Sequence, residues 1–168
     1  GNLTAQRSDA AQLKPKTMSP EQIAMVRAFD RYVCTIEPKA DDEAGKEQMI
    51  EVEYARIRTY FEAQHWAEAA LGFREIALKY PNHELGIWAA QLYLESANVM
   101  QAQFGKKSCL KDMNADVPRF IDTYCTGDKG TKNAESCQTL RVVQVDLLRK
   151  EAEDLVAQAD AEKGPRAI

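Results

Sequence analysis

Apolar residues recur at three- and four-residue spacing through six stretches of this chain, and prolines, glycines and polar turns separate one stretch from the next. That spacing places the apolar side chains of each stretch on one face of an α-helix, and no stretch shows the strict alternation of a half-buried strand. Gly and Pro number only 8 and 6 in 168 residues, so they punctuate helices rather than fill loops. With 45% hydrophobic residues the chain has enough material for a core, which excludes a disordered tail.

The first helix is expected over 20–36. Ser19 can cap it, Pro20 suits its first position and Gln22 can close a capping box, while Ile23, Val26, Phe29, Val33 and Ile36 form its stripe and Pro38 stops it. Asp41 and Asp42 then place negative charge at the start of a helix over 43–63, with Met49, Val52, Ile57, Tyr60 and Phe61 as its apolar set. The third, over 67–79, carries Ala69, Ala70, Phe73, Ile76 and Ala77 and closes at Tyr80-Pro81-Asn82, where Asn82 is a possible cap for the next helix. A fourth runs over 84–104 with Leu85, Trp88, Ala89, Leu92, Tyr93, Val99 and Met100 and ends at Gly105. The fifth, over 110–124, is interrupted by Pro118, where it starts or kinks. After a loop comes the sixth, over 134–162, with Leu140, Val143, Leu147, Leu148, Leu155 and Val156 facing inward. Residues 1–18 read as a flexible segment, 19–163 as a single helical domain and 164–168 as a tail. Position 1 is Gly, not Met, so the sequence says nothing about a signal peptide or lipid anchor, and Asn2-Leu3-Thr4 matches the N-glycosylation acceptor pattern.

Within this array, residues 50–83 resemble a single tetratricopeptide repeat (TPR). Tyr60 falls at the family's aromatic late in the first helix and Ala69 at the small residue early in the second. Phe73 and Pro81 fall at its aromatic and closing-proline positions. Ile57 departs from the pattern where a small residue is usual, and Ile76 precedes Ala77, which implies looser packing there. From Ala89-Ala90 and Tyr93 a second, degenerate unit extends to about residue 125. The resemblance implies an all-α fold of three antiparallel helical hairpins stacked as a short right-handed solenoid with the 20–36 and 134–162 helices as caps. An ordinary helical bundle is the alternative.

Four cysteines stand at 34, 109, 125 and 137. Three connectivities are possible; Cys125 with Cys137 is preferred because the two span a single turn, which leaves Cys34 to Cys109. Zinc is the competing reading, but no Cys-x-x-Cys is present, and buried thiols acting as small hydrophobes are a third. Two disulfides would place the protein outside the cytoplasm, and TPR-like chains of this kind look like helical-repeat scaffolds of the bacterial periplasm or cell envelope.

No catalytic constellation, cofactor motif or metal set emerges. His65 and His83 lie in expected turns and read as solvated, the paired acids read as helix-start charge, and the glycines never cluster into a phosphate loop. The net charge of −4 has no basic stripe, against nucleic acid as partner, and no apolar run approaches the roughly 18–20 residues of a membrane span. The expected role is therefore a non-catalytic interaction or scaffold module that holds a partner peptide or helix in a helical-repeat groove. Tyr54, Arg58, Phe61 and Glu62 on one helix and Ile87, Gln91, Leu94 and Glu95 on the next are the candidate groove residues, although Phe61 and Leu94 fit a core role equally well. The alternative is a structural subunit that acts by self-association or within a larger repeat protein.

Overall fold

The computed structural model describes residues 10–164, which are all-helical with no strand among them. The Asn2-Leu3-Thr4 pattern and residues 165–168 lie outside the described residues. A short 3-10 helix, Ala10–Leu13, precedes seven α-helices: α1 (Pro20–Thr35), α2 (Glu43–Glu62), α3 (Trp66–Lys79), α4 (Glu84–Phe104), α5 (Ser108–Tyr124), α6 (Gly127–Lys132) and α7 (Ala134–Lys163). They gather into two compact units, the first ending at Lys106 and the second beginning at Lys107, where the sequence reading groups 19–163 together.

In the first unit each helix packs on the next, and α2 also reaches α4. The entry to α1 is the expected capping box: the Gln22 amide donates to Ser19 Oγ at 3.2 Å and the Ser19 amide to Gln22 Oε1 at 2.9 Å, with Pro20 at the first position. Asp42 caps α2 by accepting from the Gly45 amide at 2.9 Å. The core is built where α2, α3 and α4 meet, from Tyr54, Ile57, Phe73, Ile76, Ile87, Tyr93 and Leu94 over a floor of Ala69, Ala77, Ala89, Ala90 and Ala97. Alanines on α3 and α4 let the helix backbones approach, and a fully buried ring such as Phe73 contributes about 2–3 kcal/mol. Helix α1 covers α2 from one side, so Val26 alone of its stripe is fully buried, and Ile23 and Ile36 stay exposed. On α4, Trp88 points outward rather than into the core.

The expected looseness at Ile57 is absent. Ile57 is buried against Gly72 of α3, and a Cβ on that glycine would overlap the isoleucine side chain. The large residue on one helix is matched by the missing side chain on the other. Helix α4 ends as expected at Gly105, whose φ of 67° suits glycine.

The lead-in to α1 is not free where it is described. The Lys16 amide donates to the Ala63 carbonyl at 2.9 Å, Trp66 Nε1 donates to the Leu13 carbonyl at 2.6 Å, and His65 Nε2 lies 2.7 Å from the Lys16 carbonyl. These three bonds clasp residues 13–16 onto the α2–α3 corner, where Gln64 takes a left-handed φ of 61°. His65, expected to be solvated, is thus half-buried and engaged.

In the second unit α5 packs on α7. Leu110, Met113, Val117, Phe120 and Tyr124 keep an unbroken three-four spacing and are buried, as are Cys137, Leu140 and Leu147 of α7. Pro118 neither starts nor ends α5; it sits on the exposed side, and the helix runs through it. The expected loop after Cys125 contains the short α6, and a Cys125–Cys137 disulfide (Cα–Cα 5.6 Å) brackets it. Of the expected second pair, Cys34 is an exposed thiol on the last turn of α1 in the first unit and Cys109 is half-buried on the first turn of α5 in the second. Leu148, Leu155 and Val156, expected to face inward, are exposed: Leu148 lies round the helix from its buried neighbour Leu147, and the 17-residue α5 does not cover the last turns of the 30-residue α7, where Leu155 and Val156 stand.

Candidate functional site

The eight expected groove residues do not share one open face. Tyr54, Ile87 and Leu94 are core: α2 is packed by neighbours on several sides, and the Tyr54 ring lies tilted on Phe73 at 5.5 Å between centroids. Phe61 is half-buried, edge-on to Trp66 at 5.4 Å and to Phe73 at 6.0 Å. Arg58 and Glu62 are exposed and pair with each other at 3.2 Å, an i,i+4 bridge worth at most about 0.5 kcal/mol. Gln91 is half-buried and Glu95 exposed on α4.

An open cleft of about 660 Å³ lies instead toward the other end of α2. The end of α1, the first half of α2 and the α3–α4 turn form its walls. Val33, Ile36, Pro38, Met49, Ile50 and Pro81 give it an apolar lining, and charged side chains surround that lining.

Two polar clusters border the cleft. Glu53, 8% exposed, accepts from Lys79 Nζ at 2.8 Å and from the Tyr80 hydroxyl at 2.7 Å. A nearly buried carboxylate is thereby held by one cation and one phenol, with the Lys79 ammonium also 5.1 Å from the Tyr80 ring centre. Partial burial works against the charged Lys79, but its hydrogen bonds to Glu53 and Tyr80 outweigh this and raise its pKa. Burial, and then the Glu53 carboxylate, raise that of Tyr80.

The second cluster is centred on His83, which caps α4 in place of the expected Asn82. Its Nδ1 accepts from the Leu85 amide at 3.1 Å, so the neutral ring carries its proton on Nε2, which faces the Glu47 carboxylate at 2.8 and 2.9 Å. The histidine fastens the α3–α4 turn to α2 rather than standing solvated. Sequence spacing could not reveal either cluster, since Glu53 with Lys79 and Glu47 with His83 are 26 and 36 residues apart. The available signal was a histidine directly before a helix start, a position where a side-chain acceptor is favoured.

Among the described residues no group of three or more His, Cys, Asp or Glu side chains is arranged to hold a metal ion, and no helix is long and apolar enough to cross a membrane. Comparison with family models, with curated proteins and with solved structures finds no match.

Proposed function

We propose that this chain is a non-catalytic interaction module, TPR-like in its first unit, that holds an apolar segment of a partner peptide or helix in the α1–α2–α3 cleft. The observation that carries the reading is the cleft itself: an apolar lining open to solvent, bordered by charged groups already held by internal partners. Such a site offers area to a hydrophobic anchor and hydrogen-bonding groups to orient the backbone beside it. The TPR-like reading is supported by the α2–α3 hairpin with Ala69 and Phe73 fully buried between its helices, and by the packing of α2 on α4, the relation that successive first helices have in a stacked repeat. An extracytoplasmic location, in the periplasm or cell envelope, is proposed from the Cys125–Cys137 disulfide.

A displayed random-peptide library selected against the chain tests the proposal. Peptides with a shared apolar anchor should emerge, and Ile36→Glu, at an exposed position of the lining, should weaken them at least tenfold while Arg58→Ala leaves them unchanged. Failure to select any peptide, or selected peptides indifferent to Ile36→Glu, would count against it.

A further inference from the structure

Helix α7 carries apolar residues beyond the stripe it buries. Cys137, Leu140 and Leu147 are buried; Val142, Val145, Leu148, Leu155 and Val156, partly round the helix from that stripe and partly farther along it, are 54 to 66% exposed. With Ala152 and Ala159 the outer residues fall at 145, 148, 152, 155 and 159, alternating steps of three and four that repeat every seven residues. That is the spacing of a helix-pairing seam, and among the described residues no helix of the second unit covers it.

The charges along α7 are sorted by sign from one end to the other. Residues 141–150 carry Arg141, Arg149 and Lys150 against Asp146, a net charge of +2. Residues 151–163 carry Glu151, Glu153, Asp154, Asp160 and Glu162 against Lys163, a net charge of −4. Two such helices side by side in parallel would set like charge against like. Antiparallel, the basic half of each lies along the acidic half of the other, and the seam still matches: Val145 meets Leu155, Leu148 meets Ala152, and Val142 lies near Val156.

We infer that the outer face of α7 is a self-association surface, whose occupant is the α7 of a second copy of this chain, packed antiparallel. The inference stands on α7 alone and is independent of the cleft.

Sedimentation equilibrium over a range of concentrations tests it, with circular dichroism to confirm that each variant is folded. The native chain should dimerise, and Leu148→Glu with Leu155→Glu should weaken the dimer at least tenfold. Reversing Arg141, Arg149 and Lys150 to Glu should abolish self-pairing but allow pairing with a second variant in which Glu151, Glu153 and Asp154 are changed to Lys. A photo-reactive residue placed at 145 should cross-link near 155 of the other copy. A chain that stays monomeric to millimolar concentration, a dimer indifferent to the Leu148 and Leu155 changes, or cross-links from 145 to 145 would each overturn the inference.

Discussion

Ile57 and Gly72 fill one space between them: the isoleucine of α2 lies where a glycine side chain would begin on α3, so neither position can be changed without reference to the other. Glycine inside an exposed helix costs about 1 kcal/mol relative to alanine, and Gly72→Ala would ordinarily stabilise α3. Here overlap with a buried, branched side chain should reverse the sign, and we expect a net loss of about 1–3 kcal/mol. Combining it with Ile57→Ala should recover part of the loss. Urea unfolding of the wild type, two single variants and the double variant checks this, and additive effects in the cycle would contradict the shared volume.

The clasp on the α2–α3 corner should be worth measuring directly. Removing residues 1–18 deletes the acceptors of Trp66 Nε1 and His65 and the donor to Ala63. We expect a loss of about 1–3 kcal/mol and a red shift in tryptophan emission, since Trp66 is buried while Trp88 is already exposed. Unchanged emission would show that these residues contribute nothing to the corner.

At the same corner Gln64 holds a left-handed backbone that favours glycine. Gln64→Gly should therefore stabilise the chain by about 0.5–1 kcal/mol, read as a higher thermal midpoint. A lower midpoint would mean that the glutamine side chain outweighs its backbone cost.

Reduction of the Cys125–Cys137 bridge should act on the second unit. Closing so short a segment removes about 3 kcal/mol of denatured-state entropy, so reduced protein should lose protection from amide exchange in α5 and α7 and keep it in α3. Alkylation followed by intact mass should count two more reactive thiols after reduction than before. A gain of four would restore the second disulfide.

Burial pushes the Tyr124 phenol from its ordinary 10 up to about 12. The folded state favours the neutral form, so this contribution is complete below about pH 10 and declines as pH rises through about 12. The loss should be about 2–3 kcal/mol over that window, from two units at 1.36 kcal/mol each, and Tyr54 and Tyr80, also raised, should add to it. Tyr124→Phe should flatten the decline seen in urea midpoints between pH 9 and 12; an equally steep decline would assign it elsewhere.

Helix positions were legible because they depend on neighbours in the chain. The Ser19–Gln22 box, the stop at Pro38 and the glycine at 105 are local devices, and the six expected helices fall within two residues of their expected bounds. Which face of a helix is covered is a different matter, since it depends on the length and placement of what packs against it. Leu155 and Val156 have the spacing of core residues but stay exposed among the described residues, while Tyr54, expected to line an open groove, lies on Phe73. The clasp is invisible in the sequence because Leu13 and Lys16 act through backbone groups, which carry no residue signal. The cleft is equally so because its walls come from segments that meet only when α1, α2 and α3 are folded together.

The clasp also gives the first unit a direction. Helix α2 rises about 1.5 Å per residue, so the corner held by Leu13 and Lys16 stands roughly 15 to 30 Å along the axis from the cleft walls at Glu43 to Glu53. The described lead-in therefore grips the first unit by its heel, with the cleft at the toe.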